Sequence, residues 1–154
     1  GDYARVITLS DSANRGPQFV MRSPRAAADG VHTNDTGIGS VRLLFDEPLA
    51  YGDSNVTVEN EDGQNVNAFS TGSGSPFIVI TFEEALYAGK YTITVEDTVI
   101  SADSGASIDG DNDGSAGGDF VFTMEHRVRH DSDNDDDIDF ADYAELALWW
   151  LWTD

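Results

Sequence analysis

From Ser40 onward, short apolar runs recur with turn residues between them, and that pattern decides the class of fold. Val41-Arg42-Leu43-Leu44-Phe45 stops at Asp46-Glu47-Pro48. Asn55-Val56-Thr57-Val58-Glu59 stops at Glu61-Asp62-Gly63, a hairpin signal that Asn65 to Ser70 answers. Phe77-Ile78-Val79-Ile80-Thr81-Phe82 follows the Gly/Ser loop 71–75, and Lys90-Tyr91-Thr92-Ile93-Thr94-Val95 follows Gly89. Asp119-Phe120-Val121-Phe122-Thr123-Met124 closes the series. A period of two sends alternate side chains to opposite faces, so each run can bury one face and wet the other. Several such strands at this spacing predict an all-β sandwich.

The segments before Ser40 are less regular. Residues 2–9 alternate, with Tyr3, Ile7 and Leu9 on one face and Ala4, Val6 and Thr8 on the other. Ser10 to Pro17 reads as a turn-rich linker, so this N-terminal strand stands apart. Gln18 to Arg22 is a second extended piece, stopped by Pro24. Ala26 to Gly39 is polar and reads as a loop. The chain begins at Gly1 rather than Met, which predicts a processed product or an excised piece.

Charge narrows the function. The net charge is −21, with 8 basic residues against 29 acidic ones. Phosphate backbones need Lys and Arg, so a nucleic-acid partner is excluded, and an anionic membrane surface is disfavoured. No apolar run approaches the ~18 residues of a membrane span. With no cysteine, neither disulfides nor thiol chemistry enters. So much negative charge repels itself in a compact state, and bound divalent cations offset that repulsion.

Two acidic loops are candidates to hold them. In Asp131–Asp142, carboxylates fall at loop positions 1, 3, 5, 9 and 12 of an EF-hand-type calcium loop: Asp131, Asp133, Asp135, Asp139 and Asp142. Position 7 supplies a backbone carbonyl, here from Asp137, and apolar Ile138 follows it at position 8. From Asp139, which can cap a helix, Phe140, Tyr143, Ala144, Leu146, Ala147, Trp150 and Leu151 recur at helical spacing. The other loop, Asp109-Gly110-Asp111-Asn112-Asp113-Gly114, begins as an EF-hand loop does, with Asp at 1, 3 and 5 and Gly at 6. Its position 12 is Phe120, so Asp119 is the substitute ligand in a shortened loop, with Asp103 an additional candidate. The competing explanations are a solvated acidic linker for the first loop and a Gly/Asp-rich turn for the second.

Two resemblances sit on these residues. "VRLLFDEPL" followed by "ALYAGKYTITVEDTVISADSGASIDGDNDGSAGGDFVFTM" resembles the bacterial Ig-like domains of surface-layer and large secreted proteins, over about residues 17–125. It implies an Ig-like sandwich with a spacer, adhesive or assembly role and no catalysis. "DSDNDDDIDFADYAELALWW" resembles a dockerin repeat, a calcium loop plus helix. That resemblance implies calcium at the six aspartates named above and a cohesin-like partner. Asp136 stands where the family has Gly, and a dockerin pairs two such repeats where this chain has one.

Catalysis finds no frame. No Gly-x-Ser-x-Gly elbow surrounds a serine, and the acids cluster in hydrophilic loops rather than beside aromatic walls. His126 and His130 are four apart, but Val128 and the preceding strand argue for extended backbone, which separates them; His32 lies in a polar stretch. The apolar end, Leu146 to Trp152, must be covered by something.

The sequence therefore predicts an all-β chain: an N-terminal strand and linker (1–16), an Ig-like β-sandwich (17–125), and an EF-hand-type calcium loop with a Trp-rich helix (126–154). The expected function is a secreted, non-catalytic, calcium-binding structural protein at the cell surface or outside the cell. Its termini would join identical subunits into a filament, tube or layer. The alternative is a docking or adhesion module of a large secreted protein, binding a cohesin-like or cell-surface partner or a carbohydrate.

Overall fold

The computed structural model describes residues 15–25, 31–34, 37–128 and 140–151. Its strands are β1 (Phe19–Ser23), β2 (Val31–Asn34), β3 (Ile38–Phe45), β4 (Leu49–Ala50), β5 (Val56–Asn60), β6 (Ala68–Thr71), β7 (Phe77–Leu86), β8 (Gly89–Val95), β9 (Ile100–Ser101) and β10 (Phe120–Val128), and its helix is α1 (Phe140–Leu151). One sheet has the order β1-β3-β7-β6, the second β2-β10-β8-β5, and β4 pairs with β9 alone. All pairings between the named strands are antiparallel except that of β2 with β10.

Alternation in the sequence becomes alternation in burial. Val41, Leu43 and Phe45 of β3 are buried while Arg42 is exposed; on β7, Ile78, Ile80 and Phe82 are buried and alternate with half-buried Phe77, Val79 and Thr81. Val58, Ile93, Val95 and Met124 from the other sheet join them in one apolar cluster. Each such side chain contributes about 1.5–3 kcal/mol when fully buried. Leu49, Val99 and Ile108, from the β4–β9 region, extend the cluster to one end of the sandwich. Phe19 stacks on Phe120 with ring centroids 4.5 Å apart and closes a flank between the sheets.

Three expectations need correction. Ala26–Gly39 is not simply a loop: it contains β2, and Ile38 already belongs to β3. Val31–Asn34 carries almost no pattern of its own and is held by parallel pairing with Glu125–Val128. The hairpin after β5 starts but does not continue. The turn closes through Gly63 N–H donating to Asn60 O (3.0 Å), and Glu59 bridges Asn65. The chain then crosses to the other sheet, where β6 pairs with β7. The segment 126–128, assigned to the link before the acidic loop, is the end of β10.

The helix forms where the spacing predicts it, at Phe140–Leu151. The N-terminal strand at 2–9, the loop 131–139 and Trp152 lie outside the described residues. Among the described residues, no helix is long and apolar enough to cross a membrane.

Candidate metal site

The loop between β9 and β10 is anchored before it turns acidic. Ile108 is fully buried, its N–H donates to Val99 O (3.0 Å), and the N–H of Asp109 donates to Pro17 O (3.0 Å). Asp109 therefore enters the loop at the edge of the core, and it is only 1% exposed. Beyond it the chain doubles back. Gly117 N–H donates to Ile108 O (2.7 Å), and Gly110 N–H to Gly117 O (3.2 Å). A Cβ on Gly110 would lie 2.2 Å from Gly118 O and 2.4 Å from Phe120 N, so the crossing requires glycine. Asn112 (φ 59°) and Gly114 (φ 92°) take the left-handed conformations of the tip, which these residue types tolerate best.

Asp109 organises that tip. Its Oδ1 accepts from Asp113 N–H (3.0 Å), and its Oδ2 accepts from Gly114 N–H (3.0 Å) and Gln18 Nε2 (2.6 Å). Burial works against its charge, but the bonds from the Gln18 side chain and the Gly114 and Asp113 backbone outweigh it and hold the carboxyl below its usual range. Gln18 is a member of the site that the sequence does not advertise, because it lies 91 residues away along the chain. It is fixed in turn: its own N–H donates to Asp46 Oδ1 (2.7 Å), and Arg15 Nη1 donates to its Oε1 (2.7 Å). Arg15 also pairs with Asp46. The acidic loop is thus tied to the corner where the chain enters β1.

The structure brings three of the candidate ligands together. Asp109, Asp111 and Asp113 each offer a carboxylate oxygen, and these oxygens lie within 4.8 Å of one another. Asp111 and Asp113 are exposed, so the group opens to solvent. An all-carboxylate donor set suits a hard cation such as calcium rather than a soft one. A carboxylate has about four lone-pair sites, and the three bonds to Asp109 leave it capacity to share an ion. The residues present therefore fit a hard metal ion.

Asp119 is placed differently. It is exposed, and its Oδ1 accepts from Asp97 N–H (2.8 Å), capping the turn after β8. Asp103 sits exposed in the turn after β9 and is not part of the carboxylate group. Of the second loop, Asp131, Asp133, Asp135, Asp137 and Asp139 lie outside the described residues. Asp142 is described: it occupies the first turn of α1 and is 4% exposed. An acidic residue there complements the positive end of the helix dipole.

Comparison with curated proteins gives no match. Among solved structures, the chain is similar to CopC from Methylosinus trichosporium OB3b, with 16% identity, a TM-score of 0.47, and coverage of 73% of this chain and 92% of that one. It is similar also to PcoC, a methionine-rich copper resistance protein from Escherichia coli, with 16% identity, a TM-score of 0.46, and coverage of 74% and 99%. The bacterial Ig-like domain family matches residues 13–124, the span that carries β1 to the middle of β10. The chain belongs to the bacterial Ig-like domain family.

Proposed function

We propose that the chain is an extracellular, non-catalytic structural module, an Ig-like sandwich stiffened by calcium and joined to further copies of itself through its ends. The observation that carries the calcium reading is the convergence of Asp109, Asp111 and Asp113 within 4.8 Å at a loop seated on the core. An ion there offsets part of the charge of −21 and fixes the loop against the start of β1. The loop 131–142 supplies a further site by its ligand spacing, and its ion sets the direction in which the apolar helix leaves the sandwich. Assembly is supported by the two ends. Residues 2–9 have the alternation of an edge strand, and Leu146 to Trp152 are apolar on every side, as expected of segments that need a cover.

Electron microscopy of the full chain with calcium, and again after chelation, tests both halves of the reading. Ordered polymers that disperse on chelation are expected. Monomers at high protein concentration with calcium present would overturn assembly. Polymers indifferent to chelation, with no heat of calcium binding by calorimetry, would overturn the calcium role.

A further inference from the structure

His126 stands out among the buried polar groups. Of the others, Ser70 bonds Asp53, Ser101 bonds Glu47, Asp109 is held by its loop, and Asp142 is also engaged. His126 is fully buried on β10, directly opposite His32 of β2 in the parallel register. Its Nδ1 lies 2.9 Å from His32 O, so Nδ1 carries the proton and donates to that carbonyl. Nε2 is then a bare acceptor, and it has no hydrogen-bond partner among the described residues.

The ring ties down a weak element. β2 has four residues, and its only described neighbour in the sheet is β10. The ionisable groups around His126 come from every side. His32 lies on β2 with its ring 5.5 Å away, and Lys90 on β8; Glu61, in the turn after β5, borders the same cavity of about 250 Å³. Glu125 and Arg127 flank it on β10 and pair with each other at 2.6 Å, so Glu125 is already engaged. His32 and Lys90 add positive charge. Burial, joined by the charge of His32, pushes the imidazole below its ordinary 6.5, against the hydrogen bond to His32 O.

We propose that His126 is a proton-sensitive latch on the edge strand β2. Neutral, it adds a side-chain tie between β10 and the carbonyl of His32. Protonated, it becomes a buried cation whose second N–H has no acceptor, and β2 separates from β10. Separation bares the backbone of Glu125–Val128 as a free sheet edge. The latch does not depend on the calcium reading.

Amide hydrogen exchange followed by NMR from pH 7.5 to 5.0, in constant calcium, reads the latch directly. Protection of Val31–Asn34 relative to β7 is expected to be lost progressively as the pH falls below the ordinary histidine value of 6.5, because the closed strand pair holds the imidazole below that value. His126→Asn keeps a donor for the His32 carbonyl but cannot titrate there, so its β2 protection should stay level. His32→Gln should keep the fall. Constant protection in the native protein, or an equal fall in His126→Asn, overturns the proposal. Should His126→Asn fail to fold, the His126 ring resonance of the native protein decides. A midpoint below 6.5 that coincides with the loss of β2 protection upholds the latch, and a midpoint at or above 6.5 overturns it.

Discussion

Asp109 shows how one carboxylate can serve a loop and a ligand group together. Its three accepted bonds come from Gln18 and from two backbone groups at the tip, Asp113 and Gly114. Removing the side chain leaves three donors unanswered at the edge of the core. A bond to a charged acceptor contributes about 1.5–3 kcal/mol net of its exchange with water, and the freed backbone N–H groups at the tip can turn to solvent. Asp109→Ala is therefore expected to destabilise the fold by about 2–4 kcal/mol even in calcium-free buffer, read by urea unfolding. Asp111→Ala and Asp113→Ala, at exposed positions, should each cost less than about 1 kcal/mol there. Equal costs for all three would mean that Asp109 does not organise the loop. Its spacing was legible in the sequence, because Asp at 1, 3 and 5 with Gly at 6 is a local pattern. Gln18 was not, because its contact depends on how β1 enters the sandwich.

At the scale of elements, legibility followed how much each strand carries its own pattern. β3, β7 and β8 alternate over their own length and bury one face, so their sequences announce them. β2 does not: Val31-His32-Thr33-Asn34 becomes a strand by pairing with residues 94 positions later. The two-residue strands β4 and β9 are too short to hold a period. β5 and β6 mislead in another way, since a true turn at Gly63 is followed by a change of sheet rather than a ladder. That turn has its own energetics. Gly63 has φ 73°, a conformation that an L residue adopts at a cost, and open space surrounds its missing Cβ. Gly63→Ala should cost about 1 kcal/mol through backbone strain alone. Gly63→Asn, better tolerated in this conformation, should recover part of it. A thermal-melting series of the three proteins checks this, and an alanine variant as stable as the native protein would show that the turn relaxes.

The whole molecule is governed by its charge, and charge joins the loop to the stability of the fold. A net charge of −21 opposes compaction at every acidic residue, most strongly where Asp109, Asp111 and Asp113 converge. An ion that binds the folded chain and not the unfolded one stabilises by RT ln(1 + [L]/Kd). All-oxygen sites of extracellular modules have Kd values of about 0.1–1 mM. At about 10 mM calcium each site then contributes about 1.4–2.7 kcal/mol. For a chain of this length that shifts Tm upward by about 3–10 °C per site. General screening must be separated from site binding, because sodium also weakens repulsion between exposed charges. Melting should therefore be measured in calcium against sodium chloride of equal ionic strength. Asp111→Asn with Asp113→Asn should remove one site's share of the calcium shift and leave the sodium response nearly unchanged. Equal shifts in the two salts would reduce calcium to a screening ion and leave the convergence of the three aspartates as the geometry of a turn.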